Sequence, residues 1–282
     1  MSYATKYGDA RTYEQIKDHY QIEKELAAKL RSASIDQRRT LYTDLYNELF
    51  LRVPHHPQLT RKISPSETAA NVNYQMGFLR LFLTTNSIFA EVGPGDCSIS
   101  NEVSKLVKQV YAIDVSSEIT KSNQRPDNFE LIISDGTSVD VKAGAVDVFY
   151  SNQLMEHLHP DDAIDQLQNI YKAIASGGVY VCITPNRLTG PHDVSKYFDD
   201  EVASGFHLKE YTTSEIRGMF DAVGFSKFMV YIPIRGRFFR MPTIILVGYE
   251  HILKLLPYKV RQSLLKVKLF RVMLGSCFVG VK

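Results

Sequence analysis

From Ser87 onward the chain alternates short apolar runs with amphipathic segments, and this alternation restricts the fold more than any other feature. Ile88-Phe89-Ala90-Glu91-Val92 is too short for a helix. A segment with Ile99, Val103, Leu106 and Val107 at helical spacing follows it, and then comes Val110-Tyr111-Ala112-Ile113-Asp114. Strand, helix, strand is the unit of a parallel sheet, because parallel neighbours need a long crossover. Further strands are predicted over 129–133, 146–150, 179–183 and 225–232. The helix before 179 should begin at Pro160, with Asp161 and Asp162 at its positive end. Its stripe is Ile164, Leu167, Tyr171 and Ile174, and Gly177-Gly178 reads as its stop. Thr212-x-x-Glu215 is a capping box for the next helix, which Gly224 ends. The pattern predicts an open, doubly wound α/β sheet.

Residues 1–83 carry helical periodicity, with Leu41, Leu45 and Leu49 four apart, and form a predicted helical cap on a core of 84–282. Val53-Pro54-His55-His56-Pro57 interrupts the cap, because the prolines remove donors and restrict their neighbours. At 44% hydrophobic and 23% charged, the composition suits a globular chain and excludes collagen, coiled coil and wholesale disorder. The polar start lacks a signal peptide's apolar core, and Glu250 and His251 break the most apolar window, 241–256. Cys97, Cys182 and Cys277 form no Cys-x-x-Cys pair. A cytoplasmic, reducing setting is expected.

The charge is unevenly distributed. From Arg235 to Lys282 ten lysines and arginines face one acid, Glu250, a local +9 within a chain of +2, so the first 234 residues carry −7. Closely spaced leucines predict two or three helices over 241–275, inserted before a last strand at 276–281. A basic, apolar insertion of this kind suits a cover over the active site, peripheral contact with an anionic membrane, or a homodimer seam. A cover is the expectation, since a final strand would pin both ends of the insertion to the sheet.

The densest chemical signal is Glu91-Val92-Gly93-Pro94-Gly95-Asp96 after the first strand. A dinucleotide fingerprint wants a third glycine where Ser98 stands. Asp114 ends the second strand, where a carboxylate accepts from ribose hydroxyls. Ser134-Asp135-Gly136 follows the third strand, Ser151-Asn152-Gln153-Leu154-Met155-Glu156-His157 the fourth, and Gly205-Phe206-His207-Leu208-Lys209-Glu210-Tyr211-Thr212 precedes the penultimate helix. This ordered series resembles the class I S-adenosylmethionine-dependent methyltransferases over roughly two thirds of the chain. The resemblance implies a seven-stranded, Rossmann-like sheet and S-adenosylmethionine as cofactor. It implies Glu91 near the methionine moiety, Gly93 and Gly95 in the cofactor-binding loop whose backbone the ligand approaches, Asp114 on the ribose diol, Asp135 and Gly136 at the adenine, and Asn152 beside the transferred methyl.

A hydroxyl nucleophile benefits from a base, and histidine titrates near neutrality. Thr184-Pro185-Asn186-Arg187-Leu188-Thr189-Gly190-Pro191-His192-Asp193 leaves strand five at the edge where the acceptor should sit. His192 with Asp193 beside it is the first candidate base, and His207 the second. No histidine has metal-ligand sequence spacing, so no metal is expected. After strand four there is no Asn-Pro-Pro-aromatic element and no nucleophilic cysteine, which argues against a nucleic-acid acceptor. The N-terminal helices and the 184–193 segment resemble methyltransferases of sugars, glycolipids and other small metabolites. O-methylation of a small hydroxylated acceptor is therefore the expected function. The alternatives are a non-catalytic module binding the same cofactor, or an N- or C-methyltransferase acting on a membrane-associated or nucleic-acid acceptor.

Overall fold

The computed structural model describes residues 9, 11–60, 64–115, 125–274 and 277–282. Helices α1 (Tyr13–Ser32), α2 (Ile35–Arg52) and α3 (Pro65–Leu79) precede the sheet, with a single turn at Pro57–Thr60 between the last two. Each of the three starts on a capping box, Thr12 with Gln15, Ser34 with Gln37 and Ser64 with Glu67, so orphan amides are satisfied locally. Strand β1 (Ile88–Val92), helix α4 (Ser98–Ser104), and strands β2 (Gln109–Asp114), β3 (Phe129–Ile133) and β4 (Val146–Asn152) follow. Then come α5 (Pro160–Ala173), β5 (Ile174–Ile183), α6 (Thr213–Val223) and the hairpin of β6 (Lys227–Ile234) and β7 (Arg237–Met241). Helices α7 (Thr243–Lys254), α8 (Tyr258–Leu265) and α9 (Lys268–Val272) lead to β8 (Cys277–Val281).

The sheet has eight strands in the order β3-β2-β1-β4-β5-β8-β6-β7. β1 to β5 are parallel, whereas β8 is antiparallel to both β5 and β6. The doubly wound, Rossmann-like expectation holds, with eight strands in place of seven. The added strand is β7, which pairs antiparallel with β6 across Arg235-Gly236. Both loop residues have positive φ, 49° and 78°, the conformation of a tight two-residue hairpin. Gly177-Gly178 does not stop α5, which already ends at Ala173. The pair lies within β5, where the register with β4 jumps from Val146–Ile174 to Val148–Val179.

Alternate residues of the strands feed two cores, as the period of two requires. Phe89, Val148, Val181 and Val279 pack with Met76, Phe78, Ile99 and Val103 on the α3–α4 face. Ala90, Phe149 and Phe278 pack with Leu45, Leu49, Ile170 and Phe220 on the face covered by α1, α2, α5 and α6. A Cβ placed on Gly280 would lie 2.5 Å from Phe220 Cδ1 and 2.7 Å from Phe225 Cδ1. Gly280→Ala should therefore overpack the second face and cost about 1–3 kcal/mol, read as a lower urea midpoint at unchanged slope. An unchanged midpoint would show that the two rings relax freely.

Helices α7 and α8 brace the loop after β5. Glu250, fully buried, accepts from Asn186 Nδ2 at 2.6 Å and from the Thr213 amide at 2.7 Å, and Gln262 Nε2 donates to Gly190 O at 2.9 Å. Leu253, Leu265 and Leu274 bury against Leu188, while Ile244, Ile252, Leu255 and Leu269 stay exposed. Among the described residues no helix is long and apolar enough to cross a membrane.

Candidate active site

Two adjoining cavities open at the carboxyl ends of β1 to β5. The first, about 380 Å³, is lined by Gly93, Ile113, Asp114, Val115, Gly136, Leu154, Tyr42 and Tyr46 among others. The second, about 260 Å³, gathers His19, His56, His157, His192 and His207 around Glu23 and Asp193. Tyr46, Gln58 and His157 line both.

In the first cavity the chain turns sharply after β1. Gly93 has φ +69° and its amide donates to Ile113 O at 2.9 Å, tying the loop to the end of β2. A Cβ there would sit 3.0 Å from Leu154, so only glycine leaves the wall open. Gly136 has φ +95°, and its backbone is occupied: the amide donates to Ser134 Oγ and the carbonyl accepts from Gln166 Nε2 at 2.7 Å. Gly93, Asp114 and Gly136 thus meet in one cavity, with a size and mixed lining that fit an adenosyl cofactor.

Four other residues assigned to the cofactor lie off that lining. Glu91 is buried behind the loop, accepting from Ser100 Oγ. Gly95 turns the loop at φ +52° with open space where a Cβ would be. Asp135 Oδ1 accepts from the Thr137 and Ser138 amides, which hold the carboxyl below its usual range although burial opposes them. Its Oδ2 lies 3.6 Å from Arg39 Nε. Asn152 donates to Gln75 Oε1 at 3.3 Å in a separate cavity on the α3 side.

Burial raises the Glu91 carboxyl from the ordinary 4.5 to about 8. The folded chain therefore keeps this proton until near pH 8, whereas the unfolded chain loses it near 4.5. Between those values unfolding releases a proton, so stability falls as pH rises, by at most about 1.4 kcal/mol per pH unit. Urea midpoints of wild type and Glu91→Gln should accordingly diverge in the variant's favour from pH 5 to pH 8. A constant difference would place the ionisation elsewhere.

The second cavity is organised by buried carboxylates. Glu210, on the strand-like run before α6, accepts from the His192 amide at 2.8 Å, faces His192 Nδ1 at 3.1 Å, and meets His207 Nδ1 at 2.7 Å. Burial opposes its charge, but the two histidines bring its carboxyl down to about 2. The two candidate bases thus share one anion, and that anion is Glu210 rather than Asp193. Asp193 follows His192 on extended backbone, where neighbouring side chains point to opposite sides. It turns away to accept from the Ser195 and Gly205 amides and from Ser195 Oγ. Gly190 makes room for the pair, since a Cβ there would fall 2.1 Å from Glu210 Oε2. His207 is raised above its ordinary value: burial lowers it, but Glu210 and Glu156 raise it more.

Sequence spacing did not reveal the cap's contribution. Arg11 Nη1 donates to His19 Nδ1 at 2.7 Å, His19 Nε2 lies 2.6 Å from Glu23 Oε2, and the Phe206 amide donates to Glu23 Oε1 at 2.8 Å. His19 and Glu23 are one helical turn apart on α1 and share a face, a signal that went unread among the solvated residues around them. Tyr46 OH lies 2.8 Å from His157 Nδ1. Burial, with the charge of His207, pushes His157 down to about 4.

Residues 90–182 match the family model described as "Methyltransferase domain". No curated protein sequence matches the chain. Among solved structures, a SAM-dependent methyltransferase from Archaeoglobus fulgidus is similar at 13% identity and TM-score 0.51, over 76% of this chain and 94% of that one. A putative methyltransferase in complex with the Haloferax volcanii Trm112 activator is similar at 12% identity and TM-score 0.51, over 74% and 88%. A Haemonchus contortus phosphoethanolamine N-methyltransferase 2, solved with phosphomonomethylethanolamine and S-adenosylhomocysteine, is similar at 17% identity and TM-score 0.50, over 75% of this chain and 52% of that one. At these identities the likeness to solved structures is one of fold. With the glycine turn after β1, the carboxylate ending β2 and the 3-2-1-4-5 parallel order of the strands around it, the matched segment is a methyltransferase domain, similar in fold to the class I S-adenosylmethionine-dependent methyltransferases.

Proposed function

We propose that the chain methylates a hydroxyl of a sugar, glycolipid or other small metabolite. The observation that carries this reading is the junction of the two cavities. The one lined by Gly93 and Asp114 meets a compact, histidine-rich one at Tyr46, Gln58 and His157. Proximity and alignment supply much of the rate in such a transfer, and the second cavity holds an acceptor of monosaccharide size against the first. The cofactor supplies an electrophilic methyl on a sulfonium. A histidine of the second cavity would take the proton that an acceptor hydroxyl gives up on receiving that methyl. His192 and His207 are the candidates, each oriented by Glu210. Gly93, Asp114 and Gly136 hold the cofactor, with Glu91, Gly95 and Asp135 supporting the loops behind them. Asn152, bonded to Gln75 on the α3 side, lines neither of these cavities.

Incubation with labelled cofactor and a metabolite extract, followed by mass spectrometry, tests the acceptor class. A product methylated on nitrogen, carbon or nucleic acid overturns it. With the acceptor known, Glu210→Gln should lower turnover by about a hundredfold at unchanged cofactor affinity, the scale of a general-base contribution. Full turnover in both His192→Gln and His207→Gln would remove the base assignment.

A further inference from the structure

Among the described residues, two groups of histidine and carboxylate bring one ligand-capable atom of each member within 4.8 Å of the others: His19 with Glu23 and His56, and Glu156 with His157 and His207. Proton placement separates them. An arginine can only donate, so His19 Nδ1 is an acceptor and its proton sits on Nε2, against Glu23. His56 Nδ1 accepts from the Gln58 amide at 3.2 Å, which puts its proton on Nε2 as well. Neither ring keeps a lone pair for an ion, so this group is a hydrogen-bonded relay.

The second group has the opposite arrangement. His157 Nδ1 lies 3.1 Å from Phe206 O, a carbonyl that can only accept, and 2.8 Å from Tyr46 OH, a hydroxyl that can accept as well as donate; a proton on Nδ1 serves both contacts and leaves the lone pair on Nε2, whereas a proton on Nε2 would set the carbonyl against a lone pair. His207 Nδ1 lies 2.7 Å from the Glu210 carboxylate, with the same result. A backbone carbonyl on one ring and a carboxylate on the other are the outer partners that orient metal-binding histidines. Glu156 completes the set. It is fully buried, Oε2 accepts from Thr184 Oγ1 at 2.9 Å, and Oε1 has no hydrogen-bond partner among the described residues. An unpaired carboxylate oxygen in that position is costly unless something positive meets it. The two rings stand edge to face, centroids 4.8 Å apart, and both line the second cavity, which leaves open coordination positions on that side.

We propose that Glu156, His157 and His207 bind a divalent transition metal ion, with Thr184, Phe206 O and Glu210 as its outer shell. Two imidazoles and one carboxylate suit Zn²⁺, Fe²⁺, Co²⁺ or Mn²⁺ rather than the all-oxygen sets of Ca²⁺ and Mg²⁺. A bound ion draws its ligands to about 2.0–2.2 Å, so the two rings close towards Glu156 on loading. The ion would face the space assigned above to the acceptor hydroxyl. That consequence rests on the O-methylation reading, and it leaves His192 as the base.

The test uses the full chain, stripped with a chelator, dialysed and titrated with Co²⁺, whose visible absorption reports coordination directly. One equivalent should bind, with the spectrum of a nitrogen–oxygen site, and Zn²⁺ should displace it. Glu156→Gln, which keeps an acceptor for Thr184, and His207→Ala should each weaken binding about a hundredfold, while His56→Ala leaves it unchanged. Thermal unfolding without metal checks that the variants fold, and the Glu156→Gln result decides if His207→Ala does not. Absence of stoichiometric binding at about 100 µM Co²⁺, or binding untouched by Glu156→Gln, overturns the site. Product analysis is read separately: a metal-free protein that methylates hydroxyls overturns the ion alone, and an ion-binding protein that methylates nitrogen overturns the acceptor alone.

Discussion

Asp114→Ala should weaken S-adenosylmethionine binding by a hundredfold or more, the largest single effect expected in the first cavity. The residue ends β2 and lines that cavity, and its backbone is fixed on both sides. Gly93 N–H donates to the carbonyl of Ile113, and Ser134 N–H to that of Asp114, at 2.9 and 2.8 Å. With its backbone so held, Asp114 would meet two hydroxyls with little reordering of the chain, and hydrogen bonds to a charged group are each worth about 1.5–3 kcal/mol. Losing both corresponds to at least two decades in affinity. Titration calorimetry with S-adenosylhomocysteine reads the change without turnover. Asp135→Asn is the control: its carboxylate already serves Thr137 and Ser138, so the variant should lose loop order more than affinity. Equal affinity in wild type and Asp114→Ala would remove the ribose assignment.

The largest loss of stability is expected from Arg38→Ala. Arg38 is 3% exposed and Asp162 1%. Arg38 Nε and Nη2 each reach one carboxylate oxygen at 2.7 Å, and Tyr42 OH donates to Oδ2 at 2.6 Å. The fork joins α2 of the cap to the first turn of α5. Removing the arginine leaves a carboxylate buried with only Tyr42 and the helix N-terminus for compensation, at a cost of about 3–5 kcal/mol. Urea unfolding should show this as a large drop in midpoint. The paired change Arg38→Met with Asp162→Leu should recover much of it, because the penalty comes from the uncompensated charge rather than from loss of an ion pair. A double variant no more stable than Arg38→Ala would mean that the fork itself sets the packing of the cap. Cofactor affinity should fall alongside, since Tyr42 lines the first cavity.

How legible these features were in the sequence depends on whether their signals were local. β1 to β5 were readable because each is a short apolar run, buried on both faces in β1 and β4 and still apolar in the edge strand β3, where no residue is fully buried, and the glycine turn because positive φ selects its residue. β7 was not, because Arg-Phe-Phe-Arg-Met at a sheet edge alternates like any basic, apolar stretch and merged with the tail that follows. Arg235-Gly236 was the missed turn signal. The second cavity was half visible. His192 and His207 drew notice as histidines in loops, but their shared partner came from a residue read only as part of a motif. Sequence adjacency suggested Asp193, and extended backbone sent it the other way. The grouping of Glu156 and His157 with His207 was invisible to spacing rules, because its members lie on two loops that meet only in the folded sheet.

The position of β8 has a consequence for how the molecule is made. β8 lies between β5 and β6, so the β6–β7 hairpin joins the parallel strands of the sheet only through it. As a chain is synthesised, β5, the hairpin and the three insertion helices all emerge first. Until β8 arrives, β5 and β6 each carry an unpaired edge, and the buried side of Phe220 and Phe228 lacks Phe278. Contacts so distant in sequence close slowly, and open edges of that kind recruit other chains. The basic residues crowded into the intervening segment would then act as repulsion between nascent copies, keeping two half-finished sheets apart while each waits for its central strand.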